Sequence, residues 1–111
     1  MIETIVLEYL KGKGFEAFME MPKNTLSFPF VLIEKTGSSV QNHVATSTLA
    51  IQSYASSLYD AAELNKELIS AMNDMISLPE ISKVSLNSDY NFTDTSTKRY
   101  RYQAVFDITH Y

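Results

Sequence analysis

A strand-like segment that runs with almost no connection into a long helical period, spanning residues 45–76, constrains the fold of this chain more than any other feature. In Ala45-Thr46-Ser47-Thr48-Leu49-Ala50-Ile51-Gln52-Ser53-Tyr54 the large apolar Leu49 and Ile51 share one parity, and small or polar residues fill most of the other. That alternation is the mark of a half-buried strand. At Ser56-Ser57 the period changes: with Ser57 as N-cap, Asp60 occupies the third helical position, where hydroxyl and carboxylate both meet orphan amides and the acid faces the positive helix end. Ala61, Leu64, Leu68, Met72 and Met75 then recur at three- and four-residue intervals, with Leu58, Ile69 and Ile76 widening the stripe, and Pro79 closes it. An apolar helical stripe needs a sheet to lie on, and the strand feeding the helix is the nearest one.

The rest of the chain supplies that sheet. Ile2, Ile5, Val6, Tyr9 and Leu10 form a helical face that Gly12 and Gly14 stop. Phe15–Met21 alternates as a strand, with Phe15, Ala17, Met19 and Met21 on one side, although Phe18 implies some cover on the other. Residues 22–25 have turn chemistry, and Phe28-Pro29-Phe30 leads into Phe30-Val31-Leu32-Ile33, a continuous apolar run expected of a central strand covered on both faces. Residues 37–43 are expected to form a loose hairpin tip or an arm reaching beyond the sheet. Ile81–Leu86 is a weaker strand, with Ile81, Lys83 and Ser85 opposing Ser82, Val84 and Leu86. Residues 87–97 are polar, with Tyr90 and Phe92 embedded, and fit a mobile loop or second hairpin tip. The last strand places Tyr100, Tyr102, Ala104, Phe106, Ile108 and His110 on one face and Arg99, Arg101, Gln103, Val105, Asp107 and Thr109 on the other. The expectation is a single α+β domain over residues 1–111, in the order α-β-β-β-α-β-β, with a mainly antiparallel sheet and helices packed on one face.

Composition limits the chemistry. With 111 residues, 45% of them apolar, one domain buries roughly two-thirds of its unfolded surface and folds without staples. The absence of cysteine excludes disulfides, thiolate metal sites and a thiol nucleophile. The first residues lack the basic and apolar regions of a signal peptide, and no apolar run reaches membrane-spanning length, which together imply an intracellular origin and no membrane partner. The net charge of −4 argues against a nucleic-acid grip, since phosphate affinity comes from clustered Lys and Arg.

No motif carries catalysis. His43 and His110 read as ordinary surface or rim residues, Gly-x-Ser-x-Gly is missing, and Gly12-Lys13-Gly14 lacks the flanking residues of a phosphate loop. Asp89-x-Asn91-x-Thr93 opens like a calcium loop but has Asp94 at the sixth position and Tyr100 at the twelfth. Asn91-Phe92-Thr93 is a glycosylation sequon by spelling only. No enzyme activity, metal or cofactor is expected. Lys98-Arg99-Tyr100-Arg101-Tyr102 is the one cluster with two readings. Parity separates its rings from its arginines, which leaves either a core face with a solvated face behind it or a surface for a protein partner.

The segments Phe30-Val31-Leu32-Ile33-Glu34-Lys35-Thr36-Gly37, Leu49–Ala55 running into Ala61-Ala62, and Arg99-Tyr100-Arg101-Tyr102 together resemble the tail terminator, or tail-completion, proteins of long-tailed phages and prophages. The family often has tryptophan where this chain has Tyr54. The resemblance implies a structural virion protein at the head–tail junction, assembled in the bacterial host cytoplasm. There a homo-oligomeric, hexameric ring stops tail-tube polymerisation, meets the tail tube protein on one side and the head–tail connector protein on the other, and lets DNA pass without binding it. Within that reading the connections 37–43 and 87–98 can reach neighbours, so Val40, His43, Tyr90 and Phe92 join Arg99 and Arg101 as candidate interface residues. The alternatives are a head-closure or connector subunit of the same virion, a small non-enzymatic regulatory or ligand-binding α+β domain, and, weakest, a hydrolase-like enzyme.

Overall fold

The structure, a computed structural model, describes residues 2–21, 29–41, 44–97 and 99–111. They form one α+β domain, a mixed sheet of five strands with two helices: α1 (Ile2–Gly12), β1 (Ala17–Phe18), β2 (Phe30–Gln41), β3 (Val44–Ala55), α2 (Leu58–Asp74), β4 (Ile81–Asn91) and β5 (Tyr100–His110). A single 3-10 turn, Met75–Ser77, follows α2. The strand order is β1-β2-β3-β5-β4; β1 lies parallel to β2 and every other pairing is antiparallel.

Helix α1 buries Ile2, Val6 and Leu10. It ends in a Schellman turn: Phe15 N–H donates to the Leu10 carbonyl at 3.0 Å and Gly14 N–H to that of Lys11 at 3.1 Å, with Gly14 at φ +95°. Helix α2 begins as its sequence dictates, the Asp60 amide donating to Ser57 Oγ at 3.1 Å. Its buried side is Ala61, Asn65, Leu68 and Met72. Leu68 and Met72, with α1, build one core with a single parity of the strands: Val31 and Ile33, Leu49 and Ile51, Ala104, Phe106 and Ile108. The register confirms the shared face, since Leu49 opposes Phe106, and Ile51 lies between Ile33 and Ala104.

Several expectations need correction. Phe15–Met21 does not form a full strand: Ala17 and Phe18 alone pair, against Val31 and Leu32, and Met19 and Met21 are exposed. Phe30–Ile33 is well covered, but β2 has a neighbour on its outer side only at Val31 and Leu32, so from Glu34 onward it is an edge strand among the described residues. Residues 37–41 are neither loose nor beyond the sheet; they stay paired with β3, whose start in turn pairs with the end of β5. Leu58 and Ile76 do not widen the buried stripe but are exposed, whereas Asn65, unseen by an apolar pattern, is buried. In β4 a register shift between Ile81 and Lys83 turns Ile81 and Val84 to the same side, so both meet the core. Residues 87–91 are strand rather than loop, because Asp89, Tyr90 and Asn91 pair with Ala104, Gln103 and Tyr102. The expectations for residues 22–25, Phe28 and His43 fall outside the described residues.

Candidate functional site

The sheet face turned away from the core is not a plain solvated surface. Phe30, Tyr54 and Arg101 sit opposite one another on β2, β3 and β5, and Tyr54 is 1% exposed. Its ring stacks on Phe30 at 4.7 Å between centroids, with the planes 10° apart, and Phe18 meets Phe30 edge-on at 5.9 Å. A row of hydrogen bonds then crosses the strands. Arg101 Nη1 donates to the Tyr54 hydroxyl at 2.8 Å, Tyr54 donates to Gln52 Oε1 at 2.9 Å, Gln52 Nε2 donates to Gln103 Oε1 at 2.9 Å, and Gln103 Nε2 reaches the Tyr90 hydroxyl. Tyr54 and Gln52 are buried yet partnered, as buried polar groups must be.

Arg101 is the pivot of this end of the molecule. Its Nε donates to the Phe92 carbonyl at 2.7 Å and its guanidinium lies 4.4 Å from the centre of the Phe92 ring. The arginine therefore fixes the start of the β4–β5 connection against β3. Phe92 and Tyr90, 39% and 41% exposed, meet edge-to-face at 5.8 Å. The connection itself is ordered by short side chains: Asn91 Oδ1 accepts the Thr93 amide, and Asp94 Oδ1 accepts the Ser96 amide and hydroxyl. Asp94 and Arg99 exchange backbone hydrogen bonds at 3.2 and 3.3 Å. The Ser96 hydroxyl, followed by that of Thr97, holds the Asp94 carboxyl down at about 2.

The candidate interface residues thus divide. Arg101, Tyr90 and Phe92 come together; Arg99 is nearby but exposed, and its backbone bridges to Asp94. Arg101 projects from the face away from the core, as its parity predicts, whereas Arg99 precedes β5, and the pair is not equivalent, because Arg101 is half-buried among aromatic rings of its own chain, on a face expected to be open to solvent or a partner. Val40, 74% exposed, lies at the other end of the sheet, opposite Ala45, about 30 Å along β3 from Tyr54. His110 is half-buried, its Nε2 2.9 Å from Ser47 Oγ.

The other half of this face carries hydroxyls and one acid: Thr48 donates to Asp107 Oδ1 at 2.8 Å, Asn87 Nδ2 to Asp107 Oδ2 at 3.1 Å, and Thr46 lies 3.4 Å from Thr109. On the helix side, a cleft of about 330 Å³ is lined by Lys13, Phe15, Glu16, Phe30, Leu64 and Glu67, a set without a nucleophile beside a base. Among the described residues no group of three His, Cys, Asp or Glu is placed to hold a metal ion, and no helix is long and apolar enough to cross a membrane. No protein-family model matches the chain, and comparison with curated proteins finds no match.

Proposed function

We propose that this chain is a tail terminator subunit of a long-tailed phage or prophage, which closes into a hexameric ring on the end of the tail tube, stops its growth and offers its far side to the head connector. The observation that carries the reading is where the three resembling segments lie. Phe30 from the first, Tyr54 from the second and Arg101 from the third form one cross-strand row, bonded and stacked. The residue that departs from the family, Tyr54, occupies the centre of that row. There its ring does the filling expected of an indole, and its hydroxyl adds two bonds.

Two further features support assembly. Exposed aromatics beside an arginine match the composition of interface hot spots. The chain's acids outnumber its bases, 13 to 9, so a channel lined by such subunits repels DNA weakly rather than holding it. Light scattering on the purified protein tests ring formation. Tubes polymerised with and without the protein test termination: capped, shorter tubes are expected. Rings that bind connectors but leave tube growth unchanged transfer the protein to the head-closure role.

A further inference from the structure

We propose that Arg101 is the docking point for carboxylates on the outer face of α2 of a second copy of this chain, so that subunits join head to tail. The inference rests on the ring reading and names the contact that closes it. Arg101 is held by a carbonyl, a phenol and aromatic rings, all neutral. No carboxylate is paired with it among the described residues. A guanidinium has five N–H donors in a planar fork, and among the described residues Nε and one N–H of Nη1 are engaged, so the outer part of the fork remains for a planar acceptor. Its plane is fixed in advance by those two bonds and the Phe92 ring, which lowers the ordering cost of a bidentate contact. Phe92, against the guanidinium, and Tyr90, packed edge-to-face on Phe92, supply an apolar rim beside it.

The placement of acids selects the occupant. Helix α2 starts three residues after β3 ends at Ala55, so its first turns lie at the same end of the sheet as the Tyr54–Arg101 pair. They lie on the opposite side, because α2 packs on the Leu49 and Ile51 parity and Arg101 projects from the other. Along that helix Asp60, Glu63 and Glu67 are all exposed. One molecule thus presents a rigid guanidinium on one side of its end and carboxylates on the other. Two different, charge-complementary patches make a heterologous contact, the type that generates rings.

Sedimentation velocity on two variants tests this, with tail tubes present if the wild type assembles only on them. Arg101→Glu and the double variant Glu63→Lys with Glu67→Lys should each weaken self-association by roughly tenfold or more. An equimolar mixture of the two should restore it, since the reversed patches are again complementary. If Arg101→Glu melts early, Arg101→Gln replaces it in the single-variant arm alone, without the mixture, and the α2 double variant, confined to exposed positions, keeps the test decisive. Variants that assemble like the wild type, or a mixture that stays dissociated, overturn the contact while leaving the ring reading intact. Loss of tube binding with self-association unchanged assigns Arg101 to the tube and also overturns it. A wild type that never self-associates, alone or on tubes, removes both.

Discussion

At the scale of single residues, Tyr54 shows how a polar atom can anchor a second, smaller packing site behind the main core. Its hydroxyl accepts from Arg101 and donates to Gln52, so Tyr54→Phe strands two partners at once. That substitution should cost about 1–2 kcal/mol, read as a lowered urea midpoint with an unchanged slope; an unmoved midpoint would show that the bonded row contributes nothing. Gly14 is a second telling position. With φ at +95° and no atom within 4 Å of an added Cβ, Gly14→Ala meets backbone strain and no clash. The expected loss is about 1 kcal/mol or slightly more. The Asp94 carboxyl, held at about 2 against an ordinary 3.8, titrates below its unfolded value. The contacts that depress it are therefore complete above pH 3.8 and are lost as pH falls through 2. Carboxyl NMR should place its midpoint there, and Ser96→Ala should raise it.

At the scale of elements, the β3–α2 unit shows what the sequence makes legible. β3 and α2 were legible because each buries large apolar side chains with its own period, and periodicity is all that a sequence exposes directly. β4 beyond Leu86 was not, because Asn87 falls at a register shift and Ser88, Asp89 and Asn91 pair through their backbones, leaving no apolar rhythm. β1 was overextended because the alternation of Phe15–Met21 continues past Phe18, where pairing with β2 stops. The Arg101 site was half legible: parity gave its face, but the burial of Tyr54 depends on Phe30 and Arg101 arriving from strands distant in sequence. The α2 stripe yields a paired test. Leu68, fully buried, should cost about 2–5 kcal/mol when truncated to Ala. Ile76, 48% exposed, should cost well under half as much in the same unfolding assay. Equal losses would place the helix on the sheet by the wrong edge.

At the scale of the whole molecule, the two ends of the sheet differ in character. The end where β3 runs into α2 carries the arginines, the exposed rings of Tyr90 and Phe92 and, on the other side, Asp60, Glu63 and Glu67 of α2. The end near Val40 carries the β2–β3 tip, and between them β2 from Glu34 to Gln41 presents an edge with no partner strand among the described residues. Arg101, Tyr90 and Phe92 gathered in one corner are the basis of the proposed docking surface. The ring on a tube end is the central claim. Electron microscopy of the purified protein mixed with tail tubes tests it most directly: the account predicts sixfold rings seated on tube ends, and bare tube ends in a field of monomers would contradict it.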